Sequence, residues 1–234
     1  MARPDEQGPH GEYGGKRAHY QAADVASRYE AERWTRGSRR WSNRRKFLAI
    51  ARAIAMARRM GDPVRDGLDL PCGTGRILPL LSAQQIRVVG ADLSHEMMEI
   101  ARRKSLDGSG SLRGLVRCEA ERLPFPDDGF DVVFSIRFLF HLPTDVRRRA
   151  VREMARVSRR WVILDYRHRY TLKYAIKRLQ WALGLSRKEY RRVSMPEIVE
   201  DFREAGVEIM RIFPTCPVLS DKWVILGRKI PPCG

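Results

Sequence analysis

Cysteine is scarce. Cys72, Cys118, Cys216 and Cys233 lie far apart and form no Cys-x-x-Cys pair. That spacing speaks against a zinc knuckle or a disulfide framework, so no metal site is expected and a reducing cytoplasm is the expected compartment. No run approaches the ~18 uncharged apolar residues of a spanning helix. The opening Met1-Ala2-Arg3-Pro4-Asp5-Glu6-Gln7-Gly8 lacks the apolar stretch of a secretory signal. Carboxylates are also in short supply: 28 Asp+Glu face 45 Lys+Arg, a net charge of +17 over 234 residues. Such an excess suits an anionic partner, whether nucleic acid or membrane, and is equally what Arg-rich coding would leave.

Enough apolar residues remain, 43%, to build the core of one domain. Residues 1–19, with recurrent Gly and Pro, are expected to form a mobile tail. A helical segment follows over 20–62. Near its end Phe47, Ile50, Ile54 and Ala57 share a face, with arginines opposite. Gly61-Asp62-Pro63 stops it. From 63 to 230 short apolar runs alternate with amphipathic stretches. Strands are predicted at Leu68–Leu70, Ile86–Ala91, Leu115–Cys118, Phe130–Ser135, Trp161–Asp165, Val207–Phe213 and Lys222–Leu226. Helices are predicted at Arg76–Gln84, Ser94–Lys104, Thr144–Val157, Thr171–Leu183 and Pro196–Ala205. This alternation implies an α/β fold, a mostly parallel sheet covered on both faces.

The most informative segment is Gly67-Leu68-Asp69-Leu70-Pro71-Cys72-Gly73-Thr74-Gly75-Arg76, a strand entering a Gly-x-Gly turn that opens a helix. A dinucleotide site wants a third glycine three residues after the second, and here that position is Leu78. Asp69 at the strand tip would repel a pyrophosphate but attract an ammonium. Asp92 ends the next strand, where a carboxylate can accept the hydroxyl protons of a ribose. Both acids have a plainer reading as caps of the following helix. Together with the turn they fit an adenosine ligand that has an amino-acid tail and no phosphates.

The ordered set LDLPCGTGR, VVGADLSHEMMEIAR, CEAERLPFPDDGFDVVFS and FLFHL resembles class I S-adenosylmethionine-dependent methyltransferases. It is most similar to the type 11 branch that includes quinone-biosynthesis enzymes. The resemblance is firm from Val64 to Trp161. It implies a Rossmann-like, doubly wound, seven-stranded sheet with its last strand antiparallel, preceded by a helical N-terminal extension. A candidate basic lid at 167–195 would precede the last strands. It also implies S-adenosylmethionine as cofactor. Carried over, Asp69 and Gly73 hold its methionine end, with Thr74 and Gly75 shaping the turn and Cys72 packing beside them. Asp92 takes the ribose, Leu93 and Met97 flank the adenine, and Glu119 and Ala120 meet its edge. Ser135 lines the cleft near the sulfonium. His141 is the candidate general base, and Tyr166 and His168 are candidate acceptor contacts. Tyr20, Tyr29 and Arg33 lie on a helix that folds over the cofactor in related proteins.

Positive charge gathers beside the expected acceptor region. Residues 28–59 hold 11 Lys+Arg against two Glu, and residues 145–192 hold 16 against four acids. Leu172, Ala175, Ile176, Leu179, Ala182 and Leu183 form an apolar stripe beside Lys173, Lys177 and Arg178. Such a helix either packs as a lid on the sheet or lies on an anionic membrane. The expected function is methyl transfer to a small or lipid-linked anionic acceptor, with peripheral contact at the inner face of the membrane. RNA methylation is the alternative, and a non-catalytic methyltransferase-like subunit the third reading.

Overall fold

The computed structural model describes residues 37–106, 110–185, 192–216 and 220–231. The expected tail at 1–19 and the candidate positions Tyr20, Tyr29 and Arg33 lie outside them. The described elements run α1 (Gly37–Arg59), β1 (Asp66–Asp69), α2 (Leu78–Ala83), β2 (Arg87–Asp92), α3 (His95–Leu106), β3 (Leu112–Arg117) and β4 (Phe130–Ser135). A 3-10 turn (Leu139–His141) leads to α4 (Thr144–Val157), β5 (Ser158–Arg167), α5 (Leu172–Ala182), α6 (Met195–Glu204), β6 (Val207–Pro214) and β7 (Lys222–Lys229).

Among the described residues one seven-stranded sheet has the order β3-β2-β1-β4-β5-β7-β6. Strands β1 to β5 are parallel, and β7 is antiparallel to β5 and β6. The chain starts at the centre, winds out through β2 to β3, and returns to place β4 on the other side of β1. The carboxyl ends of β1 and β4 therefore form the switch point where ligands settle in open α/β sheets. This is the doubly wound arrangement that the resemblance implies, and its parallel strands are those expected from the strand–helix alternation.

Burial explains the sequence pattern. Strand β4 (FDVVFS) is buried at all its positions, as a central parallel strand covered on both faces must be. On one face Ile50, Ile54 and Ala57 of α1 and Leu78 and Leu81 of α2 pack with Trp161, Ile163, Val224 and Leu226. On the other, Val146, Ala150 and Met154 of α4 and Ile198 and Phe202 of α6 pack with Val133, Val162, Leu164 and Ile225. A buried polar bracket ties this second layer together. Arg147 of α4 donates to Asp201 of α6, and the Tyr166 hydroxyl of β5 donates to the same carboxylate at 3.1 Å. A capping box between Ser194 and Glu197 starts α6.

Three expectations change here. The helix after the glycine turn is shorter than Arg76–Gln84, because the chain stays in turn conformation until Leu78. Strand β5 runs past Asp165, because β7 pairs with it as far as Arg167↔Lys222. The stripe on α5 does not pack as a lid on the sheet. Of the described side chains from Thr171 to Leu185, Thr171 and Tyr174 are half-buried and the others are exposed. Among the described residues, no helix is long and apolar enough to cross a membrane.

Candidate functional site

Beyond β1 the chain must reverse direction within a few residues to enter α2, and glycine makes this possible. Gly73 and Gly75 have φ of +51° and +71°, values that side-chain-bearing residues rarely adopt. A Cβ on Gly75 would come within 2.8 Å of the Leu78 side chain. At Gly90 in β2 a Cβ would meet Leu115 at 2.8 Å and the Cys72 side chain at 3.2 Å. That glycine therefore lets Cys72 tuck against the neighbouring strand. Two further bonds hold the turn: Lys104 donates to the Thr74 carbonyl at 3.2 Å, and Gly73 N–H donates to Asp92 at 2.8 Å.

Asp92 joins the first two strand tips. One of its oxygens accepts from Gly73 and the other from Ser94 N–H at 2.9 Å. Ser94 in turn caps α3 by accepting from Met97 N–H at 3.2 Å. The capping role and a ligand role coexist, since each carboxylate oxygen has a second lone pair. Burial raises the Asp92 pKa, while the N–H groups of Ser94, Gly73 and Leu93 oppose that rise.

Asp69 differs. It is 2% exposed, and its Oδ2 is buried with no hydrogen-bond partner. Burial, with the charge of Asp92 added, lifts its pKa well above the ordinary carboxyl value. An unpartnered buried carboxyl oxygen suits a cationic or hydrogen-donating ligand group. Both thiols nearby are suppressed as nucleophiles. Burial pushes the Cys72 pKa far up, with Asp69 and Asp92 adding to it. Cys118 is raised to about 11 by burial and by Asp92 and Glu119.

A cavity of about 190 Å³ opens at these strand ends. It is lined by Asp69, Cys72, Gly73, Thr74, Asp92, Leu93, Met97, Glu119, Ala120 and His141, which brings together most of the residues singled out from sequence. It is also lined by Arg76, Ile77, Ile136, Arg137 and Phe138, which sequence reasoning missed. Arg137 has φ of +69°, in the turn that follows β4. Nothing in its residue type announces that conformation. Among the described residues, no group of three or more His, Cys, Asp and Glu could hold a metal.

Four candidate residues fall outside the cavity lining. Gly75 acts on the turn alone. Ser135 is fully buried, with its Oγ unpartnered. It still pairs with Leu164 inside the sheet, so the lining begins one residue later, at Ile136. Tyr166 is fully buried with its hydroxyl on Asp201, because β5 continues beyond the expected end. His168 stacks on Trp223 with ring centroids 3.8 Å apart, and its Nε2 lies 3.2 Å from the Ser220 carbonyl. Burial lowers its pKa. Neither Tyr166 nor His168 faces the cavity, which corrects the acceptor assignment made from sequence.

Another feature escaped the sequence. Asp165, fully buried near the end of β5, pairs with Lys46 of α1 and accepts from Arg137 N–H. One carboxylate thus fixes α1 and the turn after β4 to each other. The available signal was a lysine in helical register with the apolar face of α1, four residues before Ile50. Cations gather around this point. Arg167 sits across from Lys222 in the β5–β7 ladder, and its guanidinium lies 4.6 Å from the Phe140 ring centroid. Burial, together with Lys46 and Arg167, lowers Lys222 to about 8.

Residues 68–163 match the family model described as a methyltransferase domain. Over 90 residues the chain is 40% identical to the probable tRNA methyltransferase 9B of Homo sapiens, covering 38% of this chain and 18% of that one. Over 94 residues it is 39% identical to the phosphatidylethanolamine N-methyltransferase of Cereibacter sphaeroides, covering 40% and 45% of the respective chains. The chain therefore spans less than half the length of these curated relatives. Its fold is similar to the SAH-bound crystal structure of magnesium protoporphyrin IX methyltransferase from Synechocystis PCC 6803. That likeness has a TM-score of 0.73 at 17% identity and covers 93% of this chain and 100% of the other.

Proposed function

We infer that this chain, which carries a class I S-adenosylmethionine-dependent methyltransferase domain, transfers a methyl group from that cofactor to a small or lipid-linked anionic acceptor. The observation that carries the cofactor half is the orphaned, buried Asp69 carboxyl facing a glycine turn that Asp92 clamps. An ammonium group is the natural partner for that oxygen. The residues fit the cofactor. Asp69 would hold its ammonium, and Gly73, whose position leaves open space where a side chain would stand, lets the backbone approach. The free lone pairs of Asp92 would accept ribose hydroxyls, and Leu93, Met97 and Ala120 would contact the adenine.

The cofactor supplies an already activated methyl group whose leaving group is a neutral thioether. What remains for the protein is to align the acceptor and exclude water. Phe138, Ile136 and Leu142 on the cavity wall do the second. His141, exposed on the same wall, is placed to accept a proton from an acceptor that holds one until transfer. The cations Arg137, Arg167 and Lys222 around the ends of β4, β5 and β7 support an anionic acceptor. The likeness to a phosphatidylethanolamine methyltransferase supports a lipid one. A tRNA acceptor is the second reading, favoured by the likeness to the tRNA methyltransferase and by the basic charge.

Two measurements test the proposal. Calorimetry with S-adenosylmethionine should show binding that Asp69→Asn removes, and absence of binding by the native chain defeats the enzymatic reading. Incubating the protein with methyl-labelled cofactor and cell extract should place label in the lipid or small-molecule fraction. Label confined to RNA selects the second reading.

A further inference from the structure

Helix α5 is exposed in an unusual way. Ile176 is 49% exposed, Leu179 60% and Leu183 63%, and Leu185 just beyond is 76% exposed. The first three lie three and four residues apart and so share one helix face. Trp181 is 40% exposed, with the Arg178 guanidinium 5.1 Å from its ring centroid. An apolar stripe of this kind left in water usually marks a contact surface. The chain around it is strongly one-signed: Arg167, Arg169, Lys173, Lys177 and Arg178 are basic, and no acidic residue occurs between Asp165 and Glu189.

We propose that the exposed face of α5 docks on an anionic lipid bilayer, with Ile176, Leu179 and Leu183 entering the interface and the surrounding cations meeting the headgroups. Charge selects this occupant. A second copy of the chain would bring the same positively charged helix sequence against the first, and like charges would oppose the contact. A nucleic acid would use the cations but gain little from the aliphatic side chains. A bilayer surface uses both. The helix leaves the sheet directly after β5, at the carboxyl edge where the cavity opens. Docking there brings the cavity mouth toward the headgroup layer, which deepens the lipid-linked form of the proposed function and rests on it for its purpose.

The test uses the full chain and phosphatidylcholine vesicles with or without phosphatidylserine. The expected result is co-sedimentation only with the anionic vesicles. The triple variant Ile176→Ser, Leu179→Ser, Leu183→Ser should weaken vesicle binding at least tenfold, and so should Lys173→Gln, Lys177→Gln, Arg178→Gln. Because Ile176, Leu179, Leu183 and Arg178 are exposed, the thermal midpoint and cofactor binding should stay unchanged, which separates loss of docking from loss of fold. Failure to bind anionic vesicles while cofactor binding is intact overturns the proposal. Binding indifferent to both variants overturns it too. A dimer that the serine variant dissociates, with no vesicle binding, assigns the face to a second copy. Binding of tRNA that only the glutamine variant weakens, again with no vesicle binding, assigns it to RNA. Vesicle binding without any cofactor binding sustains the docking face and defeats the enzymatic reading alone.

Discussion

Asp69 has one oxygen buried without a partner, and burial beside Asp92 raises its pKa well above the ordinary carboxyl value. In the unfolded chain the same group ionises in the usual range. Between the two values the fold holds a proton that the unfolded chain has released, so this group lowers stability as pH rises. The penalty is absent below the unfolded-state range, grows with pH, and levels off once the carboxyl ionises in the fold as well. Asp69→Asn should therefore stabilise the protein by about 1–3 kcal/mol near neutral pH, and by less near pH 4. Urea denaturation at the two pH values measures the difference. An ammonium ligand favours the ionised carboxylate, so cofactor affinity should rise with pH through the raised pKa and binding should release a proton. Calorimetry in buffers of different ionisation enthalpy reads that proton directly. His141 carries a separate expectation. His141→Ala should slow labelling of the acceptor by about 10²-fold while leaving cofactor affinity unchanged, and an unchanged rate would remove it from proton transfer. The glycine turn and its two acids were visible in the sequence, because residue type and spacing encode them. The displacement of Tyr166 and His168 from the cavity was not, because β5 runs two residues past its apolar run, nor was that of Ser135, because it stays paired inside the sheet to the strand's last residue.

Elements are joined through single groups, and the pair of Lys46 with Asp165 is the clearest case. Burial lowers the pKa of Lys46, against the pull of Asp165, so the pair spans an expensive environment. Lys46→Met leaves Asp165 buried with its charge uncompensated and should cost about 3–5 kcal/mol. Lys46→Met with Asp165→Asn keeps an acceptor for Arg137 N–H and should recover most of that loss. Urea melts of the two variants provide the comparison. All seven strands were legible from their apolar runs, with ends shifted by a few residues. Helix α5 was legible as a helix, but its surroundings were not. Periodicity reports that a helix has an apolar face, while what meets that face depends on where the chain leads afterwards.

At the scale of the whole molecule, α1 rests on β5, β6 and β7, and its apolar residues share a cluster with Val224 and Leu226 of β7. These partners lie more than a hundred residues further along the chain. A ribosome synthesising from the amino terminus therefore releases α1 long before the three strands on which it rests. During that interval Ile50, Ile54 and Ala57 lack their contacts with β5 and β7, and Lys46 waits for a carboxylate encoded 119 residues later. The parallel core from β1 to β4 can form earlier, whereas α1 can dock only after the β6–β7 hairpin is in place. The first described helix to leave the ribosome is thus among the last to find its place. Until β5, β6 and β7 are made, the apolar side of that helix has only α2 and the first strands to lean on.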